Sequence, residues 1–295
     1  MDAEKAEGSA AHIVDELILE RAPGLSGNQL SRAFLRRGLY RMLLYPEAVR
    51  VADEIAPQSG LEVLETLSQL LKIDLEVDGL QNLPATGRVV VAPNHPTGIA
   101  DGIALYDAIK GVRTDFSVFA NGDAIRVAPG LEDVIIPVEW EEAKRSHGSS
   151  RATLMRAARD FRDNQCVVLF PSGRMAYMSW TGLRERPWQP TIISLARKFK
   201  APIVPLHIYS RNSWVFYTFS KISNELRDVT LFREFLNKRG QKFRLCFGQP
   251  IDANSLNADP AKAVAELQQV VEVEMKREGF SDKLLGLKRP KPAPV

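Results

Sequence analysis

Several features are scarce or missing in this 295-residue sequence, and each absence removes a class of protein. No apolar run approaches the roughly 18 to 20 residues that span a bilayer, so no membrane-crossing helix is expected. The opening segment MDAEKAEGSAAH is acidic and polar, without the basic and apolar regions of a secretory signal. There are only two cysteines, Cys166 and Cys246, each inside an apolar, strand-like run. They read as buried thiols, not as a disulfide scaffold, and a reducing cytoplasmic setting fits. The four histidines (His12, His95, His147, His207) lack metal-ligand spacing, so no metal cofactor is expected. Neither sign of charge dominates: 39 Lys and Arg face 36 Asp and Glu, and no nucleic-acid partner is expected. The Gly-rich dinucleotide and Walker fingerprints are missing, as is the Gly-x-Ser-x-Gly elbow of serine hydrolases.

What is present is a regular alternation. Residues 1–11 read as disordered and 12–22 as a short amphipathic helix. The stretch 29–44 mixes Leu30, Phe34, Leu35, Tyr40 and Leu43 with Arg32, Arg36, Arg37 and Arg41, a basic amphipathic helix, with Pro46 marking a break. A further helix runs to about residue 72. From 73 onward short apolar runs alternate with helical patterns. IDLEV, RVVVAP, DFSVFAN, DVIIPVEW, QCVVLF, APIVPLHIY and KFRLCF read as strands. SSRATLMRAARDFRDN reads as a helix capped by Ser149 or Ser150, and a long helix follows Pro260. This is the pattern of an α/β fold, a central mainly parallel sheet flanked by helices. The organisation expected is a helical segment over 1–72, a catalytic domain over 73–255, and a C-terminal helix with a Pro/Lys-rich tail over 256–295.

Chemistry concentrates in VVVAPNHPTGIADG, residues 89–102. His95 follows a buried parallel strand, where open α/β sheets place their ligands. Asp101, across a tight turn, is within reach of the imidazole, fixing its tautomer and stabilising the imidazolium. His95 then serves as a general base toward an alcohol that is itself the nucleophile. The competing reading is a plain loop histidine. VVLFPSGRMA, residues 167–176, ends a second strand in a turn at the same sheet edge, where Gly173 permits close backbone approach and Arg174 pairs with an anion. Backbone amides near Gly98 or Gly173 are candidate oxyanion donors. His207 reads as a packed strand residue.

Asn94-His95-Pro96-Thr97-Gly98-Ile99-Ala100-Asp101, Phe170-Pro171-Ser172-Gly173-Arg174 and Ile203-Val204-Pro205-Leu206 occur in an order that resembles the glycerolipid acyltransferase family, the lysophospholipid acyltransferases. The resemblance covers about residues 73–252. Five residues separate His95 from Asp101 where the family usually has four, which is similar to the hemolysin-like and lyso-ornithine lipid acyltransferase branch. The resemblance implies transfer of a fatty acyl group from acyl-CoA or acyl carrier protein to a lysolipid hydroxyl in membrane lipid synthesis. It implies His95 and Asp101 as the catalytic pair, no metal or bound cofactor, and a peripheral place on the inner face of the cytoplasmic membrane. Asn94, Thr97, Gly98, Phe170, Pro171, Ser172, Gly173 and Arg174 would contact substrate. Three departures stand out: Ser172 replaces the family's Glu, Arg174-Met175 replaces its Thr-Arg pair, and DVIIPVEW lacks the Arg that grips acceptor phosphate. Arg126, Lys144, Arg145 and Arg151 are possible substitutes, and an amino-acid or zwitterionic headgroup is the alternative to glycerol phosphate.

Membrane contact has two sources in the sequence. The 29–44 helix is either an interfacial anchor or a core-packing helix with a solvated basic side. SWVFYTF, residues 213–219, is a lipid-facing lip, an acyl-tunnel wall or core. Two other functions compete: an acyl thioesterase or lipase, with water as acceptor, and a degenerate protein that binds lipid without turnover.

Overall fold

The computed structural model describes residues 12–22, 44–139 and 147–278. Apart from Leu44, the basic stretch 29–44 lies outside them. Among the described residues, the helices before the sheet are α1 (Ile13–Arg21), α2 (Tyr45–Ile55) and α3 (Gly60–Leu71). Pro46 marks the start of a helix. It stands in the first turn of α2, where a missing N–H costs nothing. Helix α3 begins in a capping box, with the Glu62 carboxylate accepting from the Ser59 N–H at 2.9 Å.

All seven strands expected from the sequence form: β1 (Asp74–Asp78), β2 (Val89–Pro93), β3 (Phe116–Asn121), β4 (Ile135–Val138), β5 (Cys166–Val168), β8 (Ile203–Tyr209) and β9 (Lys242–Phe247). They make one sheet in the order β1-β9-β8-β2-β5-β3-β4, with every pairing parallel except β8 with β9. Strands β2 and β8 are buried along their whole length, as expected of central strands covered on both faces. Alternate β2 side chains feed two cores. Val89 and Val91 pack with Leu71 of α3 and Ile103 and Ile109 of α4 (Ile99–Ile109). Val90 and Ala92 pack with Phe161 of α6 (His147–Arg162) and Ile192 and Ile193 of α7 (Thr191–Phe199), α5 being the short helix Asp123–Val127.

Three features depart from the sequence reading. Residues 177–184 form a two-stranded hairpin, β6 (Tyr177–Ser179) and β7 (Gly182–Arg184), with Trp180 and Thr181 at its tip. SWVFYTF belongs to a helix, α8 (Trp214–Ile222), followed by α9 (Asn224–Val229) and α10 (Leu231–Leu236). The C-terminal helix α11 (Pro260–Gln269) widens into a π-turn over Val270–Glu274 before α12 (Met275–Glu278). That turn leaves the Val271 carbonyl to accept from His207 Nδ1 at 2.8 Å. His207 is buried, and desolvation pushes its pKa down to about 3, so it is a neutral packed residue and not a second base. Cys166 is buried as expected, but Cys246 is half-buried, its Sγ lying 3.6 Å from Asp78 Oδ2.

Candidate active site

Strands β2 and β5 are parallel neighbours, so the turns leaving them emerge at one edge of the sheet. The first turn, residues 94–98, carries His95. The Asp101 carboxylate sits at the third position of α4 and reaches back over this turn, which suits its place at a helix N-terminus. Asp101 Oδ2 lies 3.0 Å from His95 Nδ1 and accepts the Thr97 and Gly98 N–H groups at 2.8 and 3.0 Å. Its Oδ1 accepts the Thr97 hydroxyl at 2.5 Å. Asp101 is fully buried, and four hydrogen bonds replace the water it has lost. With Nδ1 committed to this carboxylate, Nε2 is the ring nitrogen left for a substrate.

The turn closes tightly. Gly98 has φ +92°, and a Cβ there would stand 2.8 Å from Met175 Sδ in the second turn. The imidazole lies against the Phe170 ring, centroids 4.2 Å apart, and the His95 carbonyl accepts from the Ala176 N–H at 2.8 Å. The two sequence motifs are thus interlocked.

His95 opens onto a cavity of about 920 Å³, near the top of the roughly 300–1,000 Å³ range typical of small-molecule sites. Its walls are mostly apolar, with Ile103, Phe116, Val134, Val168, Phe216 and Phe235 among them. Its lining also carries cationic side chains, among them Arg21, Arg174, Arg186 and Lys221. Arg21 is paired with Asp123 at 2.7 Å, whereas Arg174 is exposed and has no ion-pair partner among the described residues. An apolar chamber with an imidazole and a free guanidinium suits a substrate with a long hydrocarbon part and a charged end.

Not every expected contact faces this cavity. Gly98, Phe170, Gly173 and Arg174 line it; Asn94, Thr97, Pro171 and Ser172 do not. The Asn94 amide is taken by β8, accepting the Ile208 N–H at 2.6 Å and donating to the Ile208 carbonyl at 3.1 Å. It braces the turn. The Thr97 hydroxyl serves Asp101, the Pro171 carbonyl accepts from the Gln189 N–H, and the Ser172 hydroxyl donates to the Arg174 carbonyl at 2.7 Å. The expected oxyanion donors also prove occupied: the Gly98 N–H is bound to Asp101 and the Gly173 N–H to the Phe170 carbonyl. Arg126 does not line this cavity. It binds Glu20 at 2.7 and 2.9 Å and so ties α5 to α1. Arg151 is exposed, and Lys144 and Arg145 lie outside the described residues. Of the 213–219 segment, Phe216 is a cavity wall, Tyr217 is core, and Trp214 is exposed.

One site residue was missed altogether. Glu185, just after β7, is buried, and its Oε1 accepts the His95 N–H at 2.6 Å. In sequence it sits within GLRERP, which reads as a solvated charged loop; the nearby Trp188, its second hydrogen-bond partner, is the only hint of burial.

The acyltransferase family model matches residues 17–285. The chain belongs to the acyltransferase family. Two curated relatives are lyso-glycine lipid O-acyltransferases. That of Phocaeicola vulgatus is 27% identical over 72% of this chain and 76% of its own length. That of Bacteroides thetaiotaomicron is 26% identical over 74% and 80%. Among solved structures, the 1-acyl-sn-glycerophosphate acyltransferase of Thermotoga maritima aligns with a TM-score of 0.49 and 16% identity, covering 91% of this chain and 93% of that one. Among the described residues of this acyltransferase, no helix is long and apolar enough to cross a membrane. No cluster of three or more His, Cys, Asp or Glu suited to a metal ion occurs among them either.

Proposed function

We propose that this acyltransferase moves a fatty acyl group from a thioester, acyl-CoA or acyl carrier protein, to the hydroxyl of a lysolipid carrying an amino-acid headgroup. The observation that carries this reading is the His95–Asp101 pair, with His95 on the lining of a large, mostly apolar cavity. His95 Nε2 takes the proton of the lipid hydroxyl as its oxygen attacks the thioester carbon. The C–S bond then breaks, and the thiolate leaving group receives the proton from the imidazolium. Asp101 holds the ring and offsets its transient charge. The acyl chain occupies the apolar chamber, where each buried CH2 contributes about 0.8 kcal/mol. The step as written calls on no metal or bound cofactor.

An amino-acid headgroup is favoured over glycerol phosphate on two grounds. The second sequence block lacks a phosphate-gripping Arg, and Arg126, the described basic residue nearest to replacing it in sequence, is consumed by Glu20. Both curated relatives carry a lyso-glycine lipid in their names. Arg174, free of ion pairs among the described residues, suits the carboxylate of such a headgroup.

The enzyme works at the cytoplasmic face of the membrane as a peripheral protein. Exposed Trp180 at the hairpin tip, with Tyr177 beside it, and exposed Trp214 on α8 supply amphipathic anchors. The test is an acceptor panel with acyl-CoA or acyl carrier protein as donor. Transfer to lyso-aminolipids, above that to lysophosphatidic acid, is the expected result. Preference for lysophosphatidic acid overturns the headgroup reading, and equal thioester loss without acceptor makes the protein a thioesterase.

A further inference from the structure

Outside the His95–Asp101 pair, the described residues hold few buried ionisable groups whose role is not evident. Glu234 pairs with Lys238 and accepts from Ser213 at the start of α8, and His207 is a neutral packing residue. Glu185 is different, because it touches the backbone of the base itself.

We propose that Glu185 is a positioning residue for acyl transfer, its carboxylate fixing the His95 peptide while Asp101 fixes the ring. The inference rests on the reading of His95 as the base. Both Glu185 oxygens are engaged: Oε1 accepts the His95 N–H at 2.6 Å, and Oε2 accepts the Trp188 indole N–H at 3.0 Å. The other end of residue 95 is held as well, its carbonyl accepting the Ala176 N–H at 2.8 Å. Residue 95 is therefore gripped at its N–H, its C=O and its ring, by three separate segments of chain.

The grip has its own support. The Trp188 N–H donates to Gln268 Oε1 at 3.1 Å, and Gln268 Nε2 donates to the Arg186 carbonyl at 3.2 Å and to Glu272. Helix α11 thus holds the 185–188 loop, and the loop holds the histidine. The family's Glu position is occupied by Ser172, whose hydroxyl is spent within its own turn. The carboxylate beside this catalytic turn comes instead from the segment after β7.

A carboxylate is a costly choice for a buried brace, since neutral acceptors hold a peptide N–H with less desolvation. Burial pushes the Glu185 carboxyl up to about 7, and the nearby Glu272 adds to the rise. The His95 contact and the Trp188 hydrogen bond act the other way. The charged groups facing it are His95 from the β2–α4 turn and Glu272 from the π-turn. Its ionised form, which can accept from both donors at once, is therefore populated near neutral pH and lost below it. A displaced base costs rate, not substrate affinity. A 1 Å misplacement is worth roughly a hundredfold in rate.

The test compares Glu185→Gln, Glu185→Ala and Trp188→Phe with the parent enzyme and His95→Ala. It measures kcat and KM for acyl-CoA across pH 5.5 to 9, together with thermal unfolding. The expected result is a kcat lowered roughly ten- to a hundredfold in Glu185→Ala with KM within about twofold. Glu185→Gln is expected to lack the step near pH 7 that Glu185 ionisation is expected to give the parent. Trp188→Phe, which leaves the His95 contact in place, carries the test if both Glu185 variants fail to fold. It lowers kcat by a smaller factor at unchanged KM. The proposal is overturned if folded Glu185 variants keep kcat within twofold of the parent, or if the loss falls on KM alone. If His95→Ala itself stays active, the reading of the base fails, which is a separate result from Glu185 being dispensable.

Discussion

His95 Nδ1 and Asp101 Oδ2 lie 3.0 Å apart, although Pro96, Thr97, Gly98, Ile99 and Ala100 separate them in the chain. The separation closes because Gly98 takes a left-handed backbone, so the turn folds under the first turn of α4 and the carboxylate points back. Thr97 and Gly98 then present two N–H groups and a hydroxyl to the same carboxylate. The longer spacing is thereby absorbed without loss of the pair.

Asp101→Asn keeps the shape but offers an amide where a carboxylate stood. It is expected to lower kcat by roughly a hundred- to ten-thousandfold, by analogy with the orienting Asp of serine proteases. Thr97→Val removes a single hydrogen bond to the same carboxylate, a loss of about 1.5–3 kcal/mol. Steady-state kinetics on both variants check the order of effects. A Thr97 variant more damaged than the Asp101 variant would contradict the arrangement.

Gly98→Ala places a methyl group against Met175 Sδ at a backbone angle that side chains rarely adopt. Destabilisation of about 1–3 kcal/mol is expected. Urea denaturation measures it. Pairing the change with Met175→Ala relieves the contact but not the angle, so only partial recovery is expected.

With the acyl chain in the cavity, as proposed, the length of the cavity limits the chain it accepts. Leu131 and Val134 line it. Leu131→Phe or Val134→Phe shortens the space, and the preferred donor shifts to a shorter chain. Each methylene excluded changes affinity about fourfold, from 0.8 kcal/mol per CH2. Competition among acyl-CoA donors reads the shift, and an unchanged chain preference would place the acyl group elsewhere.

Vesicle sedimentation tests the proposed anchors. Trp180→Ser and Trp214→Ser remove exposed aromatics from the hairpin tip and from α8. Both are expected to weaken binding to anionic vesicles while leaving unfolding unchanged. Full binding by the double variant would assign anchoring to another surface.

Stability also carries a pH signature. His207 is buried neutral, its pKa depressed from 6.5 to about 3, so the unfolded chain binds the extra proton. Its contribution is complete above about pH 6.5 and is lost as pH falls toward 3, to a limit of about 5 kcal/mol. Glu185, raised from 4.5 to about 7, works in the opposite sense. The folded state holds its proton more tightly, and stability falls as pH rises from about 4.5 through 7. Thermal unfolding from pH 4 to 8 should show His207→Asn flattening the acid side and Glu185→Gln flattening the neutral side.

The strands were readable because β-branched, doubly buried runs such as Val89-Val90-Val91 leave a strong local signal. The His95 and Phe170 turns were readable because each follows such a run. Their interlock was not, since it depends on the β2–β5 pairing and on Met175 meeting Gly98. The β6–β7 hairpin escaped notice because three-residue strands carry no periodicity. Glu185 escaped because a Glu between two arginines looks solvated until Trp188 and the His95 turn bury it. Asn94 is absent from the cavity lining for the same kind of reason. It stands beside the proposed base His95 in sequence, but its amide is paired with a strand far along the chain.

Turnover by His95→Ala puts the imidazole itself on trial. With acyl-CoA and a lyso-aminolipid acceptor, kcat should fall by roughly a hundred- to ten-thousandfold while acyl-CoA binding and the unfolding midpoint stay at parent values. A folded His95→Ala protein that still transfers acyl groups within about tenfold of the parent rate would mean that some other group removes the proton.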